Sequence, residues 1–258
     1  MKKRVLTLLS ACALLFAGGS AHGSLIDFST DQTGLFDSNG GTAYTYSATA
    51  GIGGTGGLLG GVDGAVWSYN GASYTFDGPE DEITFSMDTR YDDAVGSAQI
   101  PLRLGLQGNG PEGFGDFAVR LDSRENFVEF EENDNTTPVS NISYASNMTD
   151  GNWYRGEFTI TGTGNTSTTG EFGWSYNVFD LGAAGLSIPS SIASASGTST
   201  NNYFLNSDTE PLEFSFKVNA AASEIDNIGI TVIPEPSAVA LMLLGALSTL
   251  LVVRRRRS

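Results

Sequence analysis

Apolar and polar residues alternate in short runs along most of this chain, and Gly, Asn, Asp and Ser separate the runs. Alternation with period two puts every second side chain on one face of an extended strand. Ser73–Asp77 and Glu82–Met87 show it, as do Pro101–Leu106, Phe117–Leu121 and Phe127–Glu131. The last two are joined by Asp122–Asn126, which predicts a hairpin. Tyr44–Ala50, Val66–Tyr69, Trp153–Thr161, Glu171–Asp180, Leu212–Val218 and Ile225–Ile233 bring the predicted strands to eleven. Many short strands with regular turn signals predict an all-β fold, an antiparallel β-sandwich of jelly-roll type. Two stretches carry no strand signal. Gly51–Gly64 holds eight glycines and reads as a mobile surface loop; no Gly-Lys-Ser/Thr follows it, as a phosphate-cradling loop would need. Ser190–Asn202, rich in Ser, Thr and Ala, reads as a long loop between strands. No repeat and no internal domain boundary is visible.

Two longer apolar runs break the pattern, one at each end. Met1-Lys2-Lys3-Arg4 is basic, Val5–Ala17 is apolar, and Ser20-Ala21-His22-Gly23 is built mainly of small residues. This is the layout of a secretory signal peptide, read by the Sec export machinery. Cleavage is expected after Gly23, with Ala21 as the alternative. Leu9-Ser10-Ala11-Cys12 fits a lipoprotein box, but the apolar run before Cys12 is only seven residues long and continues past it, as in an uninterrupted signal core. At the other end, Ser237–Val253 holds seventeen residues without a charge, followed by Arg254, Arg255, Arg256, Arg257 and Ser258. As a helix this run is about 25 Å long, at the short end of what spans a bilayer. The four arginines would hold its end in the cytoplasm.

The run follows Pro234-Glu235-Pro236. Tripeptide, helix and basic tail together resemble the PEP-CTERM sorting signal of Gram-negative bacteria. The resemblance implies a membrane-embedded exosortase that recognises the tail and cuts near the tripeptide. Proline fixes φ and disfavours helix at the preceding residue, so Pro234 and Pro236 would present Glu235 in extended chain. The expected organisation is a signal peptide over 1–23, a sandwich body over 24–233 and a sorting segment over 234–258. The route leads from the inner membrane to the cell surface or extracellular matrix. A permanently anchored single-pass protein is the alternative.

Within the body, Asp150-Gly151-Asn152-Trp153-Tyr154 opens a strand that continues through Phe158-Thr159-Ile160. This resembles the Asp-Gly-x-Trp turn of laminin-G and other concanavalin A-like jelly rolls, where the tryptophan packs inward as the strand begins. Glu224–Ile230 is similar to their closing strand. The resemblance implies two curved sheets, one concave, with glycans bound on the concave face or the rim loops, often with calcium. It carries over no specific ligand residue.

Charge narrows the partners. Between Ser24 and Ile233 there are 6 basic and 28 acidic residues, a balance of −22. Such a surface repels nucleic acid and anionic lipid, and it suits solubility or a polysaccharide matrix. The lone cysteine, Cys12, and the lone histidine, His22, both fall in the expected signal peptide. The processed chain would then lack disulfides, thiol nucleophiles, histidine bases and histidine-ligated metal.

Glycoside hydrolysis needs two carboxyl groups set across the sugar. Glu224-Ile225-Asp226 offers half of a jelly-roll Glu-x-Asp-x-x-Glu pattern, but Gly229 stands where the last acid belongs. Glu129-Phe130-Glu131-Glu132 has the composition without the spacing. The chain therefore reads as a non-enzyme, with a secreted jelly-roll hydrolase as the rival. Calcium, which needs only oxygen ligands, is the one candidate cofactor. Asp88, Asp92 and Asp93 form one oxygen-rich cluster, and Asn133, Asp134 and Asn135 another. Among the aromatics, Trp153 and Trp174 are expected in the core. Trp67, with Tyr69 beside it and the glycine-rich stretch just before, is the expected glycan contact.

Overall fold

The alternating runs that fall among the described residues contain strands, and two antiparallel sheets hold them. The computed structural model describes residues 22–39, 43–60, 66–70, 81–90, 100–107, 117–122, 127–132, 137–143, 148–187, 190–200, 213–219 and 224–233. They contain β1 (His22–Ile26), β2 (Phe36–Asn39), β3 (Thr45–Ser47), β4 (Gly57–Leu59), β5 (Val66–Tyr69) and β6 (Glu82–Arg90). Next come β7 (Ile100–Gln107), β8 (Phe117–Asp122), β9 (Phe127–Glu132), β10 (Thr137–Ser143) and β11 (Trp153–Gly162). A helical turn, α1 (Thr166–Thr169), precedes β12 (Glu171–Gly182), β13 (Ser190–Thr200), β14 (Glu213–Asn219) and β15 (Glu224–Ile233).

The first sheet has the order β13-β12-β11-β6-β15-β4-β3, with β1 also paired to β15. The second has the order β10-β9-β8-β7-β14-β5-β2. The predicted hairpin forms, with Asp122 opposite Phe127 and Phe117 opposite Glu132. The first and last strands meet as well, since His22 lies opposite Val232 and Ile26 opposite Ile228.

Register explains the core. Ala195, Tyr176, Phe158, Phe85 and Ile230 form one cross-strand row in the first sheet. All five are buried. Phe85 stacks on Phe214 of the second sheet, with centroids 4.7 Å apart and planes 7° apart. Such a pair adds about 0.5–1.5 kcal/mol beyond the area it buries. One buried cluster spans both sheets, so the described body has a single core. The outward row at the same level is polar: Ser196, Ser175, Thr159, Thr84 and Thr231. Thr84 Oγ1 and Thr159 Oγ1 are hydrogen-bonded at 2.9 Å.

Several expectations change. Ser190–Thr200 is a strand, not a loop, because Ala193 and Ala195 are small enough to lie against Val178 and Tyr176 while serines face outward. The glycine-rich stretch is packed where it is described. Ile52–Gly54 forms a 3₁₀ turn and Gly57–Leu59 is β4. A Cβ on Gly51 would overlap the Gly56 carbonyl oxygen, and one on Gly56 would overlap that of Phe28. Ser73–Asp77, Asp92, Asp93, Asn133–Asn135, Ala21 and the sorting segment with Pro234, Glu235, Pro236 and Arg254–Arg257 lie outside the described residues. Among the described residues no helix is long and apolar enough to cross a membrane.

Candidate functional site

Three loops gather at the end of the first sheet where β6 finishes and β15 begins. They are Gly51–Thr55, Met148–Asn152 and Gly182–Ser187. Each is tied down by a polar side chain from the strands beneath it.

Asp226 holds the first loop. Its Oδ2 accepts the Ile52 N–H at 2.9 Å and its Oδ1 accepts the Asn227 N–H at 2.8 Å. Asn227 has a positive φ of 49°, which asparagine tolerates. It marks a register break between Asp226 and Gly229 in the pairing of β15 with β6. The break turns the Asn227 amide toward Asp88, whose Oδ2 accepts Nδ2 at 3.0 Å. Asp88 is fully buried and also accepts a two-pronged pair from Arg155, Nε at 2.7 Å and Nη2 at 2.9 Å. Burial pushes the Asp226 carboxyl above its ordinary range, and the nearby Asp88 and Asp27 charges push the same way. The two backbone N–H groups oppose them. The Asp88 hydrogen bond holds the Arg155 guanidinium still more firmly in its charged form.

The second loop is the Asp-Gly-x-Trp turn. Gly151 has a φ of +77°, a conformation that admits glycine without strain, and Trp153 is buried as β11 begins. Arg90 Nε donates to the Gly151 carbonyl at 3.1 Å, while Arg90 Nη1 pairs with Glu224 Oε2 at 3.1 Å. Tyr154 Oη accepts the Thr149 N–H at 2.6 Å. Burial raises this phenol above its usual range. Asn152 Nδ2 reaches across to Asp180, 3.1 Å from Oδ1 and 3.3 Å from Oδ2. Asp180 Oδ1 in turn accepts the Gly182 N–H at 2.7 Å, which begins the third loop. That loop abuts the first, since a Cβ on Gly185 would meet Ile52 at 2.8 Å. Its Leu186 is 76% exposed.

Trp67 and Tyr69 are elsewhere. They are 4% and 9% exposed, packed with Phe36, Tyr44 and Phe216 between the sheets. Stacking on a sugar needs an open ring face, and these rings spend theirs on the core. Trp174 is buried as expected. Asp88 is no open calcium ligand, because Arg155 and Asn227 already occupy its oxygens. Among the described residues no three His, Cys, Asp or Glu side chains are grouped to hold a metal. Glu224 and Asp226 are likewise engaged, one by Arg90 and one by backbone N–H groups. Gly23, expected at the signal cut, lies within β1 opposite Thr231.

No family model matches the chain, and no curated protein matches it. Solved structures do. Arcelin-5, a lectin-like defence protein from Phaseolus vulgaris, superimposes with a TM-score of 0.51 at 12% identity, over 85% of this chain and 100% of arcelin-5. The fold is that of the legume lectins. Basic winged bean lectin, solved with Tn-antigen, gives a TM-score of 0.53 at 10% identity, over 84% of this chain and all of that one. The lectin from Bauhinia forficata, in complex with GalNAc, gives 0.51 at 8% identity over the same shares. The lectin-like sandwich agrees with the jelly roll and with the concanavalin A-like resemblance read from Asp150–Tyr154. The three-loop cluster was not visible in the sequence. Its members are scattered, and only the strand registers bring Asp88, Arg155 and Asp226 into one row.

Proposed function

We propose that this chain is an exported carbohydrate-binding protein, and that its sandwich binds glycan through the three-loop end of the first sheet. The observation that carries the reading is the span of the lectin fold, which takes up 85% of the chain and leaves nothing of arcelin-5 unmatched. Lectins solved with Tn-antigen and with GalNAc share it. The chemistry of the loops supports the placement. Asn152 and Asp180 carry planar donors and acceptors at this end, the kind of group that recognises sugar hydroxyls, and Leu186 adds an exposed apolar surface. Binding is favoured over hydrolysis because the carboxylates of the half-motif are both engaged.

Sorting is the second part of the proposal. The signal peptide directs export, and an exosortase-type enzyme processes the segment from Pro234 to Arg257. The body then joins the surface or an extracellular polysaccharide matrix.

Protein purified from its native host should bind some member of a glycan array saturably. Asn152→Ala should weaken that binding about tenfold, the loss of roughly one hydrogen bond. An array without a binder would overturn the carbohydrate reading. For sorting, the mature protein should end near Pro234–Pro236; a product still ending at Ser258 would overturn it.

A further inference from the structure

We propose that Asp226 and Asp88 form a pH-sensitive latch, which holds the Gly51–Thr55 loop closed in acid and releases it as the pH rises toward neutral. Its basis is an imbalance of charge in one cross-strand row. Asp226 of β15 and Asp88 of β6 are partners, and Arg155 of β11 is the next member. The two carboxyls are 2% and 0% exposed. Like charges directly opposed on neighbouring strands are unfavourable, and the effect grows where little water surrounds them. One guanidinium serves both. Arg155 directs both its prongs at Asp88, while Asp226 has, among the described residues, the Ile52 and Asn227 N–H groups. The other charges nearby do not restore the balance. Arg90 of β6 is paired with Glu224 of β15. Glu157 of β11 stands two residues beyond Arg155 and is itself negative. Asp27, just past β1, adds a further negative charge, and the Ser29 N–H at 3.0 Å from its Oδ1 keeps that carboxyl below the ordinary range. The loop itself carries no ionisable side chain.

The carboxyl holds a loop that is fitted closely to it. Asp226 Oδ2 accepts the Ile52 N–H at 2.9 Å, and a Cβ on Gly51 would stand 2.9 Å from the same oxygen. Inside the loop the Gly51 N–H donates to the Thr55 carbonyl at 2.7 Å, which ties its two ends together. A charged carboxylate accepts N–H groups more strongly, and this favours closure at high pH. Burial and the Asp88 and Asp27 charges act the other way, and they win, since the carboxyl is raised despite both N–H bonds. Opening the loop lets water reach Asp226 and relieves its charged form alone. By linkage, the contribution of the protonated carboxyl to closure is complete below about 3.8 and is lost as pH rises through the raised value. Ile52 also abuts Gly185, so the release reaches the third loop. That these loops bind glycan rests on the function proposed above; the latch would then make that binding depend on pH.

Hydrogen exchange of the full chain in detergent tests the latch, with protection corrected for the pH dependence of free-amide exchange. Between pH 3.8 and neutral, residues 51–56 should lose at least about fivefold more protection than residues 171–182 of β12, the low end of ordinary coupling between two sites. Asp226→Asn, which cannot ionise, should abolish that extra loss. Asp31→Asn removes an exposed acid outside the row and should leave it unchanged. Equal loss in the loop and in β12 of the parent would overturn the proposal, and this comparison decides even where Asp226→Asn fails to fold. A folded Asp226→Asn chain that keeps the parent's extra loss would overturn it too. The readout needs no ligand, so a chain that binds no glycan can still show the latch, and a glycan binder can still lack it.

Discussion

Arg155 and Asp88 form the most consequential side-chain pair described. The carboxylate is fully buried, while the guanidinium keeps about a third of its surface in solvent. Removing the arginine would leave a buried charge with, among the described residues, only the Asn227 amide for company. Arg155→Ala should therefore lower unfolding free energy by about 3 kcal/mol, a cost typical of orphaning one member of a buried pair. Urea denaturation measures it; a loss below about 1 kcal/mol would place this pair with ordinary surface bridges. Arg90 and Glu224 are more exposed and should matter less. Asp226 makes stability depend on pH. Its folded pKa lies above the ordinary 3.8, so the protonated form favours the native state. That contribution is complete below about 3.8 and is lost as pH rises through the raised value. Asp27 and Asp31 act in the opposite sense, since hydrogen bonds from Ser29 and Thr33 lower them and their contributions fade only as pH falls below 3.8. The melting-temperature difference between the parent and Asp226→Asn should thus grow in the parent's favour as pH drops from neutral toward 3.8. Parallel melting profiles would show that Asp226 is not the group responsible.

At the level of elements, the glycines around β4 make a sharp case. Gly56 faces the Phe28 carbonyl with no room for a methyl group. The contact is backbone on both sides, so neither partner can rotate away. Gly56→Ala should cost about 1–3 kcal/mol or more, as overpacking does, and should loosen the Gly51–Thr55 loop. Gly34, where nothing lies within 4 Å and φ is not left-handed, serves as the comparison for a glycine with room for a methyl group. The same region shows where sequence legibility ended. Strands with large side chains on alternate positions, such as Glu82–Arg90 and Trp153–Gly162, announced themselves. In β13 the inward positions are Ala193, Ala195 and Gly197, too small to give a hydrophobic signal, although their period is two. In β4 glycine composition masked a three-residue strand. Trp67 was misplaced because neighbouring glycines suggested an open loop, whereas its environment is set by Tyr44 and Phe216, far along the chain. The Asp-Gly-x-Trp turn was legible because its geometry is local. The Asp88–Arg155–Asp226 row was not, because register is a long-range property.

For the whole molecule, the pairing of β1 with β15 puts the beginning and end of the described body side by side. Both expected sorting segments therefore leave from one pole, and the three loops lie at the other, roughly 30 Å away along the ten residues of β15. A body tethered by its C-terminal segment would hold those loops outward, toward whatever surrounds the cell. The same pairing bears on processing. The strand β1 starts at His22, so a signal cut after Ala21 preserves it and a cut after Gly23 removes its first two residues. N-terminal sequencing of the mature protein decides between them, and a start at His22 should accompany the higher melting temperature when both forms are made. The arrangement also has a mechanical consequence. Tension entering through the C-terminal end pulls along β15, which is paired with β6 on one side and with β1 and β4 on the other. Its hydrogen bonds then share the load in parallel, as in a lap joint. Tension applied between the two ends of the body instead opens the β1 pairing one bond at a time, like a zip. A body of this topology, held only at its C-terminal end and pulled from the far pole, would be loaded in the strong direction.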